Sequence, residues 1–189
     1  MKKKVIVLAL VVIALSIMAV GTAAYFTAED TATNVITTGN VSIKLLETSV
    51  SDQGKEPVPF KDVSGIMPGT TVSKIAQVEN NGANGVYVRV AVVKAIELAE
   101  GIQATPNTEL LTLDINTKDW TLKDGYYYYN AELKPGETTE PLFTTVSFAS
   151  DMGNEYQGCK TTVSVLAYAT QSANNGASAL EASGWPKES

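Results

Sequence analysis

The sequence predicts an all-β protein: a β-sandwich of jelly-roll or immunoglobulin-like type with a short helical insertion, preceded by an N-terminal signal helix. Three observations predict this class. Apolar residues recur at every second position in several short runs, which is typical of half-buried strands. Pro-Gly, Asn-Gly and Asp-Gly turn signals separate these runs. The length of 189 residues suits one domain with a sizeable core.

The N-terminal end has the three parts of a removable export signal. Residues 2–4 are lysines, residues 5–20 are uncharged, and small residues follow at 21–24. The uncharged run is shorter than the ~20 apolar residues that a bilayer-spanning helix needs, which disfavours a permanent anchor. We therefore predict a signal peptide over residues 1–24, cut between Ala24 and Tyr25. The alternative is a type IV pilin, but the Gly and Glu typical of its cleavage site are missing.

A polar extension, residues 25–40, follows this junction and opens with two aromatic residues. Residues 34–38 are predicted to form a short strand. Residues 25–34 are too polar and too few for a core strand, so we expect them to become ordered only when another molecule supplies a sheet. In an isolated chain they would be loosely docked, helical or extended away from the domain.

The sandwich domain is predicted over residues 41–170, with a flexible tail at 171–189. Residues 48–61 contain two prolines and form a loop or a broken edge strand. Residues 94–105 have Ala, Glu and Leu character and predict one or two helical turns. Strands are predicted over residues 41–47, 71–79, 86–93, 109–116, 120–123, 126–130, 141–149 and 161–170.

Turn signals join these strands. Residues 80–85 contain two Asn-Gly pairs, the strongest hairpin signal in the chain, and Asp124-Gly125 predicts a second hairpin. The Pro-Gly turns at 68–69 and 135–136 resemble each other, which suits two equivalent corners of a sandwich.

A few side chains carry a possible binding chemistry, and for each the structural interpretation is preferred. Arg89 is interpreted as a solvated or salt-bridged strand residue. The tyrosines of 126–129 are interpreted as packing residues of a hairpin rather than a sugar- or partner-binding platform. Cys159 is interpreted as an unpaired thiol, because no histidine is present to activate it.

The composition excludes several function classes. The chain has no histidine, which removes Ser-His-Asp and Cys-His catalysis and HExxH zinc sites. One cysteine allows no internal disulfide. The formal net charge is −6, and loss of three signal lysines would make it −9. Such an acidic protein should repel phosphate backbones, so no nucleic-acid partner is expected.

Several stretches resemble one family. They are the junction GTAAYFTAED at 21–30, the strand TTGNVSIKL at 37–45, the Pro-Gly turn at 67–69 running into VENNG at 78–82, and NEYQG at 154–158 before the last strand. Together they resemble the TasA/camelysin (CalY) family of Gram-positive bacteria, which is exported through a dedicated SipW-type signal peptidase. The chain departs from TasA in its shorter length and in its tyrosine-rich hairpin.

The resemblance implies a secreted jelly-roll subunit of pilus-like biofilm matrix fibres, located extracellularly or at the cell surface. In such fibres the N-terminal segment of one subunit completes a sheet of the next. The partners implied are further copies of the chain and a SipW-type signal peptidase, while participation of an assembly partner or minor subunit stays open. No cofactor is implied. The donor strand carried onto this chain comprises Tyr25, Phe26, Thr27, Ala28, Glu29, Asp30, Thr31, Ala32, Thr33 and Asn34.

Two other function classes compete with a fibre subunit. A monomeric surface-binding or adhesion module would use the tyrosine hairpin. A secreted metallopeptidase, the activity once ascribed to camelysin-type relatives, would have to bind its metal through carboxylates such as Asp114, Asp119 and Asp124. Their spacing matches no EF-hand loop, although acidic Ca²⁺ sites stay open. We predict that the protein is not an enzyme and has no catalytic or metal-binding residues.

Overall fold

A computed structural model describes residues 26–29, 34–37, 41–50, 57–61 and 63–186. The predicted signal helix and the Ala24–Tyr25 junction lie outside these residues. The strands of the described part are β1 (Phe26–Glu29), β2 (Asn34–Thr37), β3 (Ile43–Val50), β4 (Pro57–Pro59), β5 (Val63–Ile66), β6 (Thr71–Asn80), β7 (Val86–Glu97), β8 (Leu111–Leu113), β9 (Trp120–Lys123), β10 (Tyr126–Tyr129), β11 (Phe143–Phe148) and β12 (Lys160–Gln171).

These strands form two sheets, which confirms the predicted all-β sandwich. The larger sheet has seven strands in the order β5-β1-β12-β7-β10-β9, with β2 also paired to β12. The smaller sheet has the order β4-β3-β6-β11-β8. The core lies between them and is built from alternate residues of each strand, as the period-two pattern predicts. Val86, Val88 and Val90 of β7 are at most 1% exposed and pack in one cluster with Leu45 and Val78 of the smaller sheet.

The helical insertion predicted at residues 94–105 is wrong. Residues up to Glu97 continue β7, which pairs with β12 over its whole length from Val86↔Gln171 to Glu97↔Lys160. Helix propensity is a weak preference, and a twelve-residue ladder with a neighbouring strand outweighs it. The helical pieces of the described chain are two 3-10 turns, Thr108–Leu110 and Asn154–Tyr156.

The hairpin predicted at residues 80–85 is also wrong, because β6 and β7 lie in different sheets. The turn is held by Asn80, which is fully buried. Its side-chain amide donates to the carbonyls of Asn84 (2.8 Å) and Leu133 (2.9 Å), and its Oδ1 accepts from the Gly82 N–H (3.0 Å). The Asn-Gly pattern therefore stabilises a crossing between sheets rather than a paired hairpin.

The other turn predictions agree with the structure. Asp124 and Gly125 have φ values of 50° and 81° and join the antiparallel strands β9 and β10. Gly69 and Gly136 have φ values of 78° and 79°, and each donates its N–H to a neighbouring strand, to Phe148 and Asn80 respectively. The two Pro-Gly turns thus play equivalent roles. Pro57–Pro59, inside the predicted loop or broken edge strand, is the terminal strand of the smaller sheet.

Candidate functional site

The candidate site is the edge of β12 that faces away from β7. One edge of β12 is occupied along its whole length by the antiparallel strand β7. The other edge is occupied by the N-terminal segment of the same chain, in parallel orientation. Thr27, Ala28 and Glu29 pair with Lys160, Thr161 and Thr162, whereas the β2 residues pair with positions 166–169.

The two N-terminal strands follow β12 almost as one strand. From Glu29↔Thr162 to Asn34↔Leu166, five positions of the N-terminal segment correspond to four positions of β12. One extra residue therefore lies between β1 and β2, the residue count of a β-bulge. Since a one-residue shift exchanges the two faces of a strand, β1 and β2 have separately specified registers on the same edge.

The strands β1 and β2 are held differently. β1 lies between β12 and the antiparallel strand β5, with a register irregularity between Phe26 and Thr27. For β2, the described residues provide one ladder partner, β12, while the half-buried Val35 packs against the core. No pattern in the sequence predicted β5, because Val63–Ile66 is short and includes a glycine. A long alternating last strand, which needs a partner on each edge, was the signal that could have located the site.

The structure places part of the predicted donor segment on this edge. Positions 26–29 form β1 and Asn34 begins β2. The predicted donor residues that lie outside the described part are Tyr25, Asp30, Thr31, Ala32 and Thr33, and the cleavage residue Ala24 lies outside it too. The expectation of a loosely docked, helical or extended segment differs from the structure, in which β1 is paired within its own chain. The physical reason is that β12 leaves one long edge open, and the nearest strand able to fill it is the chain's own N-terminal segment.

The sandwich interior beneath the start of β12 is tightly filled. A cavity of about 10 Å³ is lined there by Phe60, Lys74, Thr161 and Val163 among others. Lys74 Nζ lies 2.7 Å from Glu47 Oε1, and both side chains are at most 5% exposed. The ammonium also lies 4.1 Å from the centre of the Phe60 ring. Buried charges of this kind are tolerated only when they are paired, so removing either charge should destabilise this end of the core.

The tyrosine hairpin has a packing role on the outer face of the larger sheet. Tyr128 is buried and packs edge-on against Trp185, with ring centres 5.7 Å apart. Tyr126 packs edge-on against Tyr168 of β12 at 5.6 Å. Residues 172–186, part of the predicted flexible tail, cover this face, and Tyr87 donates to the carbonyl of Gly176. The platform that an adhesion module would need is therefore covered by the chain itself.

Arg89 lies in the middle of this aromatic cluster. Its guanidinium carbon lies 3.9 Å from the centre of the Tyr126 ring and 4.8 Å from that of Trp185. It donates to the Tyr128 hydroxyl (3.4 Å) and to the Pro186 carbonyl (3.5 Å). Cation–π contacts of this kind fix the C-terminal segment on the sheet. Arg89 thus binds aromatic rings, where a solvated or salt-bridged residue was predicted.

The three carboxylates considered for a metal each have a local role. Asp114 accepts from the N–H groups of Thr144 (2.8 Å) and Thr145 (2.7 Å) and from the Thr144 hydroxyl. Burial raises the pKa of Asp114, but these hydrogen bonds outweigh it and hold the pKa below its usual value. Asp119 accepts from the side-chain amide of Asn116, and Asp124 occupies a turn position with positive φ.

Cys159 is a free thiol that is 1% exposed. Burial raises its pKa to about 11, so the thiol stays protonated at neutral pH. A protonated, inaccessible thiol is a poor nucleophile.

Residues 1–97 match the model of a family described as camelysin metallo-endopeptidase. This match covers just over half of the 189-residue chain. The chain belongs to the camelysin family. Searches of curated proteins and of solved structures gave no match. The matched region includes the predicted signal, the N-terminal segment and the chain up to the last residue of β7.

A metallo-endopeptidase family implies a metal centre, and the residues of this chain do not fit one. The sequence has no histidine. Within the described ranges, no three residues among Cys, Asp and Glu come together in a way that could hold a metal ion. Catalytic zinc normally requires three protein ligands, most often including histidine.

Among the described residues, no helix has the length and the apolar character of a membrane-spanning segment.

Proposed function

We propose that this camelysin-family protein is an exported structural subunit that forms extracellular, biofilm-matrix fibres by exchanging its N-terminal strands between neighbouring copies. The observation that carries the proposal is the pairing of residues 27–29 and 34–37 with the edge of β12. The acceptor site is therefore the edge of β12 together with β5. Family membership supports an exported protein of the TasA/camelysin type.

Strand exchange would require few new contacts. The backbone ladder that β1 and β2 form with their own β12 is the same ladder that they would form with the β12 of a neighbour. Between β2 and β3 the chain passes through Thr38-Gly39-Asn40, residue types that tolerate a change of backbone direction. Because donor and acceptor are different surfaces, head-to-tail exchange gives an open filament unless the rotation closes a ring.

The balance between the closed monomer and the fibre is set by concentration and by release of the N-terminus. Because the segment belongs to the same chain, its local concentration at the edge is on the order of millimolar, which favours the closed form in dilute solution. Before cleavage at Ala24–Tyr25, the apolar run of residues 5–20 would hold the segment at the membrane. Cleavage by a SipW-type peptidase would release it and so act as the trigger of assembly.

A structural role fits this chain better than peptidase activity, because the sequence has no histidine and the described residues bring together no group of three potential metal ligands. A chelator-sensitive peptidase assay on the pure protein separates the two. We expect no cleavage that depends on a divalent metal; such cleavage, abolished by chelation and restored by metal, would contradict the proposal.

Electron microscopy of the exported form tests assembly directly. We expect filaments from a protein that begins at Tyr25 and none after deletion of residues 25–34. Ala28→Pro should also abolish filaments, because proline removes the N–H that position 28 contributes between β5 and β12. The matched control Ala28→Ser should assemble like the parent. Filaments formed equally well without residues 25–34 would overturn strand exchange.

A further inference from the structure

The larger sheet has a second open edge, on the side of β7 away from β12. On this side β10 pairs with β7 only at Arg89 and Val90. In the described part of the chain, residues 91–97 have β12 as their one ladder partner. More than half of β7, a twelve-residue central strand, therefore borders a side of the sandwich that no other described strand covers, and we call this side the seam.

The backbone groups of Val92 and Lys94 point into this seam. Gly85 accepts from Ser172, on the β12 side, whereas Val86 exchanges both of its backbone hydrogen bonds with Leu133, on the β10 side. Since the direction alternates along a regular antiparallel strand, the even-numbered residues of β7 face the β10 side. Beyond the end of β10, Val92 and Lys94 thus direct their N–H and C=O groups toward the seam.

An apolar groove runs along the seam between the two sheets. It encloses about 260 Å³, and its lining includes Val92 and Lys94 of β7, Tyr127 of β10, Leu111 and Leu113 of β8, and Ile115. β8 is the terminal strand of the smaller sheet, so its outer edge opens on the same groove. Unpaired backbone groups beside an apolar groove are the features that allow another strand to be added.

One charged side chain crosses this groove. Lys94 Nζ donates to the backbone carbonyl of Leu111 at 2.9 Å, which links the open edge of β7 to the open edge of β8. Its aliphatic part covers apolar surface while its ammonium occupies an acceptor that an incoming strand would use. A lysine on an open edge is a known way to prevent edge-to-edge association, because pairing would bury the charge.

We propose that Lys94 is a specificity-determining residue that prevents a second copy of the chain from pairing at the seam, so that copies associate only through other surfaces. This inference does not depend on strand exchange at β12, because it concerns side-to-side association of closed monomers as well as of fibres. The same logic applies at the opposite end of the smaller sheet, where Pro57 and Pro59 of β4 lack the N–H groups that pairing requires.

The test compares Lys94→Met with Lys94→Arg in the exported protein carrying Ala28→Pro, which disables the donor strand β1 and so should prevent assembly through β12. Sedimentation velocity over a concentration series measures self-association. We expect Lys94→Met to raise the association constant at least roughly tenfold, and Lys94→Arg to leave it unchanged. Lys94→Met/Thr112→Lys returns a charge to the lining of the same groove and should reverse the association.

Thermal melting separates this effect from misfolding. Association of Lys94→Met with a melting temperature like that of the Lys94→Arg control, reversed by Thr112→Lys, supports the proposal. It is overturned if Lys94→Met does not associate more than Lys94→Arg. It is equally overturned if association accompanies a lowered melting temperature and persists after Thr112→Lys. None of these readouts requires filaments, so this proposal and strand exchange at β12 fail independently.

Discussion

The two sides of the seven-stranded sheet handle an open strand edge in opposite ways. On one side, the chain's own N-terminal segment fills the edge of β12, and the interior beneath has a cavity of only about 10 Å³. On the other side, half of β7 has no second partner in the described chain, a groove of about 260 Å³ stays open, and Lys94 crosses it. One edge is thus satisfied by backbone pairing within the chain, whereas the other carries a charged side chain.

The filled side depends on the two N-terminal strands β1 and β2, which we propose are exchanged between copies. The seam depends on a single side chain, Lys94, so it should respond to single substitutions. We therefore expect substitutions near the two edges to change the free energy of unfolding by different amounts.

The largest effect on stability is expected beneath the filled edge. Lys74→Met removes the cation that pairs with the buried Glu47 carboxylate. Loss of one partner of a buried ion pair destabilises by roughly 3 to 5 kcal/mol, measured as the free energy of unfolding in urea. Changing both partners, as Lys74→Met/Glu47→Gln, should recover a large part of this loss.

The matched control is Lys44→Met on the neighbouring strand β3, where the lysine is exposed. It should change the free energy of unfolding by no more than about 0.5 kcal/mol. A Lys74→Met protein as stable as this control would show that the interior below β12 does not depend on this ion pair, and the description of a tightly filled side would be wrong.

A smaller, pH-dependent effect on the free energy of unfolding is expected at the seam. Asp114 follows β8 and binds Thr144 and Thr145, so it holds one wall of the seam. Because folding lowers the pKa of Asp114, its contribution is complete above the unfolded value of about 4 and is lost as pH falls through the lower, folded pKa.

Asp114→Asn should therefore lower the free energy of unfolding by on the order of 1 kcal/mol near neutral pH, a modest value because the carboxylate is exposed. The difference between variant and parent should shrink as the pH falls below about 4. Denaturant titrations at several pH values measure it. A difference that is independent of pH would show that the Asp114 charge has no role.

Much of the fold follows from local patterns, because alternation places Val86, Val88 and Val90 in the core whatever their neighbours are. The same patterns do not determine which strands are neighbours in a sheet. Residues 94–97 favour a helix by composition, yet they extend β7 because β12 supplies a partner along its whole length. The Asn-Gly pairs at 80–85 specify a turn, but they do not decide whether the following strand stays in the same sheet.

The sequence indicated the N-terminal segment of the candidate site but not the strand edge that it pairs with. The resemblance indicated a donor segment at residues 25–34, and its short, polar character suggested that it needs a sheet from elsewhere. The acceptor edge depends on contacts between residues more than 120 positions apart, such as Ala28 and Thr161, and periodicity does not encode such a pairing. Lys94 was missed for the same reason, since its role arises only because β7 extends beyond the residues that pair with β10.

The most direct test of strand exchange mixes two single-cysteine proteins, Ala28→Cys and Thr161→Cys, each in the exported form with Cys159→Ala. These two positions are direct partners in the β1–β12 ladder, which suits a disulfide between adjacent strands. Neither protein can form the 28–161 bond within one molecule. We predict that oxidation of the mixture during assembly gives disulfide-linked dimers that contain one copy of each protein, and that adding Ala28→Pro to the Thr161→Cys protein leaves these dimers intact. Filaments that form from the mixture without any such heterodimer would contradict exchange at β12.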